Sequence, residues 1–295
     1  MKKSKLTRDG RQAIYGMLYI LPSFLIIMVF CIISIALAAY FSFTNYNLYN
    51  APEFVGLNNY VNVFKSGTFY AALTNTVKYV IVVVPLQTIL ALLLAVFIAE
   101  KMRNRYGSFL RSVIFIPFIV SSIAASAVWK VIFKTKGGIL NVALGLFGID
   151  EVNWLGAKTL AFVCVCIVTI WKNVGYYMVI YYAGVMGISL EQKEAAIVDG
   201  ANAWQRFWRI TLPSLKPITY MIITLGVISS FQIFDIVYQL TGGGPGTSTI
   251  TLAYMVYTYA FSNQKLGYAS AIAMVLLVIV LLIHWIQNAF FKEKE

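Results

Sequence analysis

A chain of 295 residues that is 60% hydrophobic and only 12% charged is too apolar for a water-soluble domain of its size, so its bulk belongs in a lipid bilayer. Its net charge of +12 would ordinarily raise nucleic acid as a partner, but the Lys and Arg residues sit in short runs beside apolar segments, as in the water-facing loops of membrane proteins, so no nucleic acid is expected. A single His, His284, and three Cys, two of them (Cys164 and Cys166) inside an apolar run, leave little from which to build an imidazole metal site, a zinc knuckle or a disulfide frame.

Six segments are long enough to cross about 30 Å of hydrocarbon, at about 1.5 Å per helical residue. In chain order they cover 16–40, 79–99, 112–131, 159–187, 218–240 and 268–290, which predicts an all-α integral membrane protein. Each is expected to be helical, because a helix satisfies its own backbone groups where no water is present. The first segment follows basic residues and contains Ala36-Leu37-Ala38, a passable cleavage site, yet its length and the five spans after it favour a retained helix. The chain then divides into a basic head at 1–15, a membrane domain at 16–290 containing a loop at 188–217, and a tail at 291–295.

Charge sets the orientation. With a cytoplasmic N-terminus the inner segments hold fifteen Lys and Arg and the outer loops five (Lys65, Lys134, Lys136, Lys158 and Lys265), so both termini and the 188–217 loop are expected in the cytoplasm. Lys78 and Lys130 lie near span ends, where snorkelling is the ordinary explanation.

Lys172 is different, since it falls near the middle of the fourth span. It could pair with an acid on another helix or a partner, contact a solute, or snorkel. Tyr176, Tyr177, Tyr181 and Tyr182 follow it and could line a cavity or pack a helix interface.

The loop after that span contains EAAIVDGANAWQRFWRITLPSLKP, from Glu194 to Pro217. Leu190 to Val198 reads as a short helix, Gly200 as a turn or close approach, and Ala203 to Ile210 as a second helix stopped by Pro213. Ala195 and Ala196 would let a partner come near, and Glu194 and Asp199 offer it charge. Trp204, Phe207 and Trp208 suit a membrane interface or the transporter core, and a pair of helices that merely anchors the bundle is the alternative.

On the fifth span Gln232, Asp235 and Gln239 fall at i, i+3 and i+7, one helix face with Phe231 and Tyr238 beside it. Amides and a carboxylate bind sugar hydroxyls, and an aromatic ring covers the apolar face of a pyranose. A charge near the span end facing the surface is the plainer alternative for Asp235. Beyond the span, Gly242-Gly243-Gly244-Pro245-Gly246 with Thr247, Ser248 and Thr249 reads equally as a docking rim or as a plain hairpin. These glycines are no phosphate loop: G-x-x-x-x-G-K-[ST] is missing from the sequence, so a pump built on this chain takes its energy from another one.

Glu194-Ala195-Ala196, Asp199-Gly200-Ala201 and Ile210-Thr211-Leu212-Pro213 resemble the cytoplasmic signature of permease subunits in binding-protein-dependent, ATP-driven (ABC) importers. FVGLNNYVNVF (Phe54 to Phe64), LRSVIFIPFIVSS (Leu110 to Ser122), FQIFDIVYQLTGGGPGTST (Phe231 to Thr249) and GYASAIA (Gly267 to Ala273) are similar to the carbohydrate branch, which includes maltose and glycerol-3-phosphate permeases. The similarity covers about Tyr19 to Gln287; Ser189, where this branch often has Pro, is a departure that leaves open how the chain enters the short helix.

The resemblance implies a type I importer permease fold with a coupling helix between spans four and five. Glu194, Ala195, Ala196, Asp199 and Gly200 would dock on an ATPase subunit, with Ile210, Leu212 and Pro213 completing the element. Phe231, Gln232, Asp235, Tyr238, Lys172 and Tyr176 are the candidates for the solute pathway. It further implies a second homologous permease subunit, two ATPase subunits or domains, an extracytoplasmic solute-binding protein, and a place in the bacterial cell membrane. No cofactor is expected on this chain, and ATP with Mg2+ would bind the partner ATPase. An ion-coupled secondary transporter could use Lys172 and Asp235, but gives no reason for the EAA loop. A membrane enzyme lacks a visible cluster of nucleophile and base, and a scaffold makes the polar helix face a coincidence.

Overall fold

The computed structural model describes residues 8–102 and 104–292. Among them every regular element is helical, and the only strand-like pairing is an isolated bridge between Thr44 and Phe54. The chain starts as one long helix, α1 (Arg8–Ile27), a π-helical stretch (Met28–Ile33) and α2 (Ser34–Ser42). None of the apolar window within Tyr15–Ser42 is buried inside the chain, an arrangement that only hydrocarbon or another apolar surface tolerates. Its end is pinned: Asn59 Nδ2 donates to the carbonyls of Ser42 and Thr44 at 2.9 and 2.8 Å, and a side chain at Gly267 would run into the Thr44 carbonyl.

A short α3 (Asn58–Lys65) leads to Ser66, whose hydroxyl accepts the Phe69 N–H and starts α4 (Gly67–Lys101). This helix begins twelve residues before position 79, where hydropathy alone places its start. Polar groups in the extra turns hide it from a hydropathy scan, and distant backbone satisfies them. Asn75 Nδ2 donates to the carbonyls of Thr247 and Ile250, and Thr76 Oγ1 accepts the Leu252 N–H at 3.1 Å.

The third span is not one helix. α5 (Arg105–Ile119) and α6 (Ser122–Ile132) meet at 97°, with Val120 and Ser121 extended between them. After α7 (Ile139–Gly145) comes α8 (Lys158–Met186), which runs along α4 and crosses α5. Next are α9 (Leu190–Val198) and a helix made of α10 (Ala203–Arg206), a π-helical stretch (Phe207–Thr211) and α11 (Leu212–Ser214). Pro213 therefore does not stop this helix. The wider π turns precede it and absorb the register change that its missing N–H demands, and the chain bends by 67° at the buried Leu215 instead.

The fifth span is likewise interrupted: α12 (Lys216–Phe231) ends at Gln232, and α13 (Asp235–Leu240) restarts after Phe234. Gln232, Asp235 and Gln239 consequently do not share one continuous helix face. α14 (Leu252–Tyr257), a π-helical stretch (Thr258–Ser262) and α15 (Leu266–Lys292) complete the chain. Among the described residues four helices can cross a membrane unaided, and the two bent pairs raise the number to six if each is one span.

α8 holds the others by close approach and specific contacts. A Cβ on Gly175 would collide with backbone of Ile114 and Phe115 in α5, so glycine sets that crossing distance. Tyr181 Oη and Thr219 Oγ1 lie 3.0 Å apart between α8 and α12, and the Arg111 guanidinium stands 4.0 Å over the Tyr182 ring. Gly184 faces only the side-chain tips of Ile218 and Leu215. Gly175→Ala should therefore destabilise the protein by about 1–3 kcal/mol, because backbone must move, and Gly184→Ala by less. Thermal unfolding in detergent checks this order, and a Gly175→Ala protein that melts with the wild type contradicts the crossing described.

Candidate functional site

The two interrupted spans meet at one cavity of about 250 Å³. α6 contributes Ser122, α8 contributes Thr169, Lys172 and Asn173, and the broken fifth span contributes Ser229, Gln232 and Asp235. At this size, just under the lower end of about 300 Å³ for small-molecule sites, it suits one small polar unit.

Lys172 explains how the third span can be broken inside an apolar bundle. Its ammonium donates to the carbonyls of Val120, Phe118 and Pro117 at 2.7, 3.1 and 3.5 Å, the groups left without helical partners where α5 stops. An ammonium has three protons, and three carbonyls take them. The Phe118 ring, 5.7 Å from the ammonium, stacks on Tyr176 at 4.5 Å, so Tyr176 braces this elbow from behind. At the other break Thr251 Oγ1 donates to the Ile233 carbonyl at 2.6 Å. Lys130 donates to the Gln239 carbonyl at 3.2 Å, tying α6 to α13 rather than simply snorkelling.

Of the six pathway candidates, Lys172, Gln232 and Asp235 come together at the cavity. Phe231 does not: it is 1% exposed and packs with Val84 and Val227, because the break at Gln232 rotates the following residues away from the face it occupies. Tyr176 and Tyr238 also lie outside the lining. Ser122, Thr169, Asn173 and Ser229 join the lining without standing out in the sequence, although each is a polar residue within an apolar segment and three stand within three positions of Lys172 or Gln232.

The second candidate site is the loop. Ser189 caps α9 by accepting the Gln192 N–H, which supplies the start that proline would otherwise shape. At the other end Ala201 N–H donates to Ala196 O at 2.9 Å and Gly200 N–H to Ile197 O at 3.0 Å, the paired bonds of a Schellman motif, with Gly200 at φ +80°. Asn202 then caps α10 in a box with Gln205, and Arg206 Nη1 donates to Ala201 O at 2.8 Å. The turn is thus fixed from both sides. Within this chain Gly200 serves the turn, since its positive φ favours glycine and open space surrounds the position of its missing Cβ.

Glu194, Ala195, Asp199 and Gly200 are exposed, and Ala196 is half-buried. Clefts between α9 and the helix after it are lined by Ala195, Ala196 and Asp199 on one side and by Arg209, Ile210 and Pro213 on the other. Phe207 and Leu212 pack into the cluster of Tyr181, Leu215 and Ile222, so the loop is joined firmly to α8 and α12. Trp204 and Trp208, edge-to-face at 5.5 Å, stay 69% and 49% exposed.

Apolar spans, a polar cavity where two of them break, and an exposed helix pair rigidly coupled to the bundle define a membrane transport subunit. Residues 65–294 match the family of binding-protein-dependent transport system inner membrane components, and the chain belongs to that family. It is 34% identical over 278 residues to YurN, a probable ABC transporter permease of Bacillus subtilis (strain 168), covering 93% of this chain and 95% of the relative. It is 34% identical over 273 residues to the trehalose/maltose transport system permease MalF of Thermococcus litoralis, covering 92% and 91%. The fold matches a chain of a bacterial ABC transporter involved in import of the acidic polysaccharide alginate, with a TM-score of 0.84 at 22% identity over 96% of both chains. The chain is a permease subunit and not an enzyme, and among the described residues no group of three His, Cys, Asp or Glu could hold a metal.

Removing the ammonium should expose the cost of the break. Lys172→Met leaves the carbonyls at the end of α5 unsatisfied and should destabilise the protein by about 1–3 kcal/mol, while Lys172→Arg, which keeps a cationic donor, should lose less. Limited proteolysis and thermal unfolding in detergent measure both, and a Lys172→Met protein as stable as wild type would remove Lys172 from this role.

Proposed function

We propose that this chain is a permease subunit of an ATP-driven importer that passes a neutral sugar or short oligosaccharide inward from an extracytoplasmic binding protein. The carrying observation is the cavity chemistry: amides, hydroxyls and one carboxylate line it, while the protons of its only ammonium are directed to backbone carbonyls. Such a set matches sugar hydroxyls and offers a phosphate or carboxylate little counter-charge. That favours a neutral sugar or polyol over a glycerophosphate, and cargo of the trehalose/maltose kind named for the Thermococcus relative over the acidic polysaccharide of the alginate transporter.

In this reading six spans form a type I importer permease in the bacterial cell membrane, with both termini in the cytoplasm. A second, homologous permease completes the path, and two ATPase subunits bind ATP and Mg2+. α9 is the coupling helix: Glu194, Ala195, Ala196, Asp199 and Gly200 form the dock, while Ile210, Leu212 and Pro213 hold the helix that relays its movement to α12. Gln232 and Asp235 meet the solute. The ion-coupled alternative is set aside, because the family works with a binding protein and Lys172 is committed to backbone.

Glu194→Lys and Gly200→Trp should each cut ATP-driven uptake by about tenfold, through reversed charge at the dock and a side chain forced to positive φ. Solute binding to the isolated binding protein should stay unchanged. Gln232→Ala and Asp235→Asn should slow uptake without loss of assembly. Uptake assays in vesicles carrying the whole complex decide: normal uptake by both loop variants rejects the coupling role, and exclusive uptake of an amino acid or a metal rejects the carbohydrate.

A further inference from the structure

Five aromatic rings continue the cavity along the chain beyond the second break. Phe234 lines the cavity itself, and its ring centroid lies 4.6 Å from Tyr257, 5.5 Å from Tyr238 and 6.4 Å from Tyr254. Tyr257 in turn stands edge-on to Tyr238 at 5.3 Å and lies 5.1 Å from Phe261. These rings are not sealed in a core, since Tyr238 is 43% and Phe261 66% exposed. Their direction is set by α13, whose Ile236, Val237 and Leu240 are buried while Asp235 and Tyr238, one turn apart, share the other side. Asp235 belongs to the cavity wall, so Tyr238 begins where that polar wall ends.

The glycine-rich turn closes over the same cluster. Tyr254 Oη donates to the Gly242 carbonyl at 2.9 Å, and a Cβ on Gly243 would press into the Tyr254 ring at 2.9 Å. Rings of the lipid-interface belt would also be exposed, but a belt gives no reason for one of its members to line a polar cavity.

We propose that Tyr238, Tyr257 and Phe261 form a stacking track for pyranose rings, an outer subsite that holds further units of an oligosaccharide while the leading unit occupies the cavity. Each pyranose has an apolar C–H face that an aromatic ring covers, and Tyr supplies broad contact with little side-chain entropy to lose. A cavity of about 250 Å³ takes one small unit, so the rest of a longer cargo needs a surface that binds without demanding a fixed pattern of hydroxyls.

The inference rests on the carbohydrate reading, and its test separates the two. The whole complex with its binding protein is placed in vesicles, and uptake of glucose, maltose, maltotriose and cellotriose is measured for wild type, Tyr257→Ala, Phe261→Ala and Tyr257→Phe. For a transported trisaccharide, the alanine variants should raise KM by about tenfold. Transport of a monosaccharide should move by less than about twofold, and Tyr257→Phe should match wild type because the ring remains. If wild type imports a trisaccharide and the alanine variants do so at unchanged KM, the track is overturned and the carbohydrate reading stands. Alanine variants that fail to assemble would make the patch a subunit interface and overturn the track, as would a Tyr257→Phe protein as impaired as the alanine one. A wild-type complex that imports none of the four sugars overturns the track as stated for these pyranosides, and one that imports only a non-carbohydrate solute overturns both.

Discussion

Backbone that leaves the helix inside an apolar bundle must find hydrogen-bond partners from elsewhere in the chain, since no bulk water is there to supply them. Two spans break in this protein, and each break is met by one side chain: Lys172 for the carbonyls at the end of α5, and Thr251 for the Ile233 carbonyl. The breaks turn polar side chains toward each other and leave a cavity where continuous helices would interdigitate. A polar cavity in apolar surroundings is thus a by-product of irregular backbone that the fold satisfies with its own side chains.

The same constraint links the cavity to the exposed loop. α12 begins at the buried Leu215 beside Phe207 and Leu212 and ends at Gln232 in the cavity wall, so one helix touches both sites. The turn after α9 is closed by a Schellman motif on one side and a capping box on the other, which gives it little freedom to bend. In the proposed coupling, a push on α9 would move the second loop helix with it and reach α12 through the packed side chains of Phe207, Leu212 and Leu215. Gly175 keeps α5 against α8 at the level where Lys172 holds its end, and so fixes the opposite wall.

Hydropathy reveals the spans because it needs only a run of apolar residues, and the loop helices because their caps are local: Ser189, Gly200 and the Asn202 to Gln205 box lie within a few residues of what they cap. The breaks are not legible. Val120-Ser121 and Gln232-Ile233-Phe234 contain neither Gly nor Pro, whereas Pro22, Pro85 and Pro117 all lie inside helices. Lys172 stands out as a charge in an apolar span, but its partners are backbone atoms 52 to 55 residues away, which no side-chain pattern encodes. One helical period extended through Gln232 puts Phe231 beside the pathway face, and the break removes that period. The proposed aromatic track is hidden for a related reason: Phe234 and Tyr238 stand together at α13, but Tyr257 and Phe261 lie beyond the glycine-rich turn.

The central claim is that the two breaks open onto a hydrated path used by the solute. Cysteine placed at Ser122, Asn173 or Gln232, in a chain whose Cys31, Cys164 and Cys166 have been replaced, tests it through the rate of reaction with a small charged thiol reagent in the assembled complex. The account predicts that all three positions react and that transported sugar slows them, while a cysteine in place of the exposed Trp204 reacts regardless of sugar. If the three stay unreactive under turnover while the Trp204 control is modified, the cavity is sealed packing and the account is contradicted.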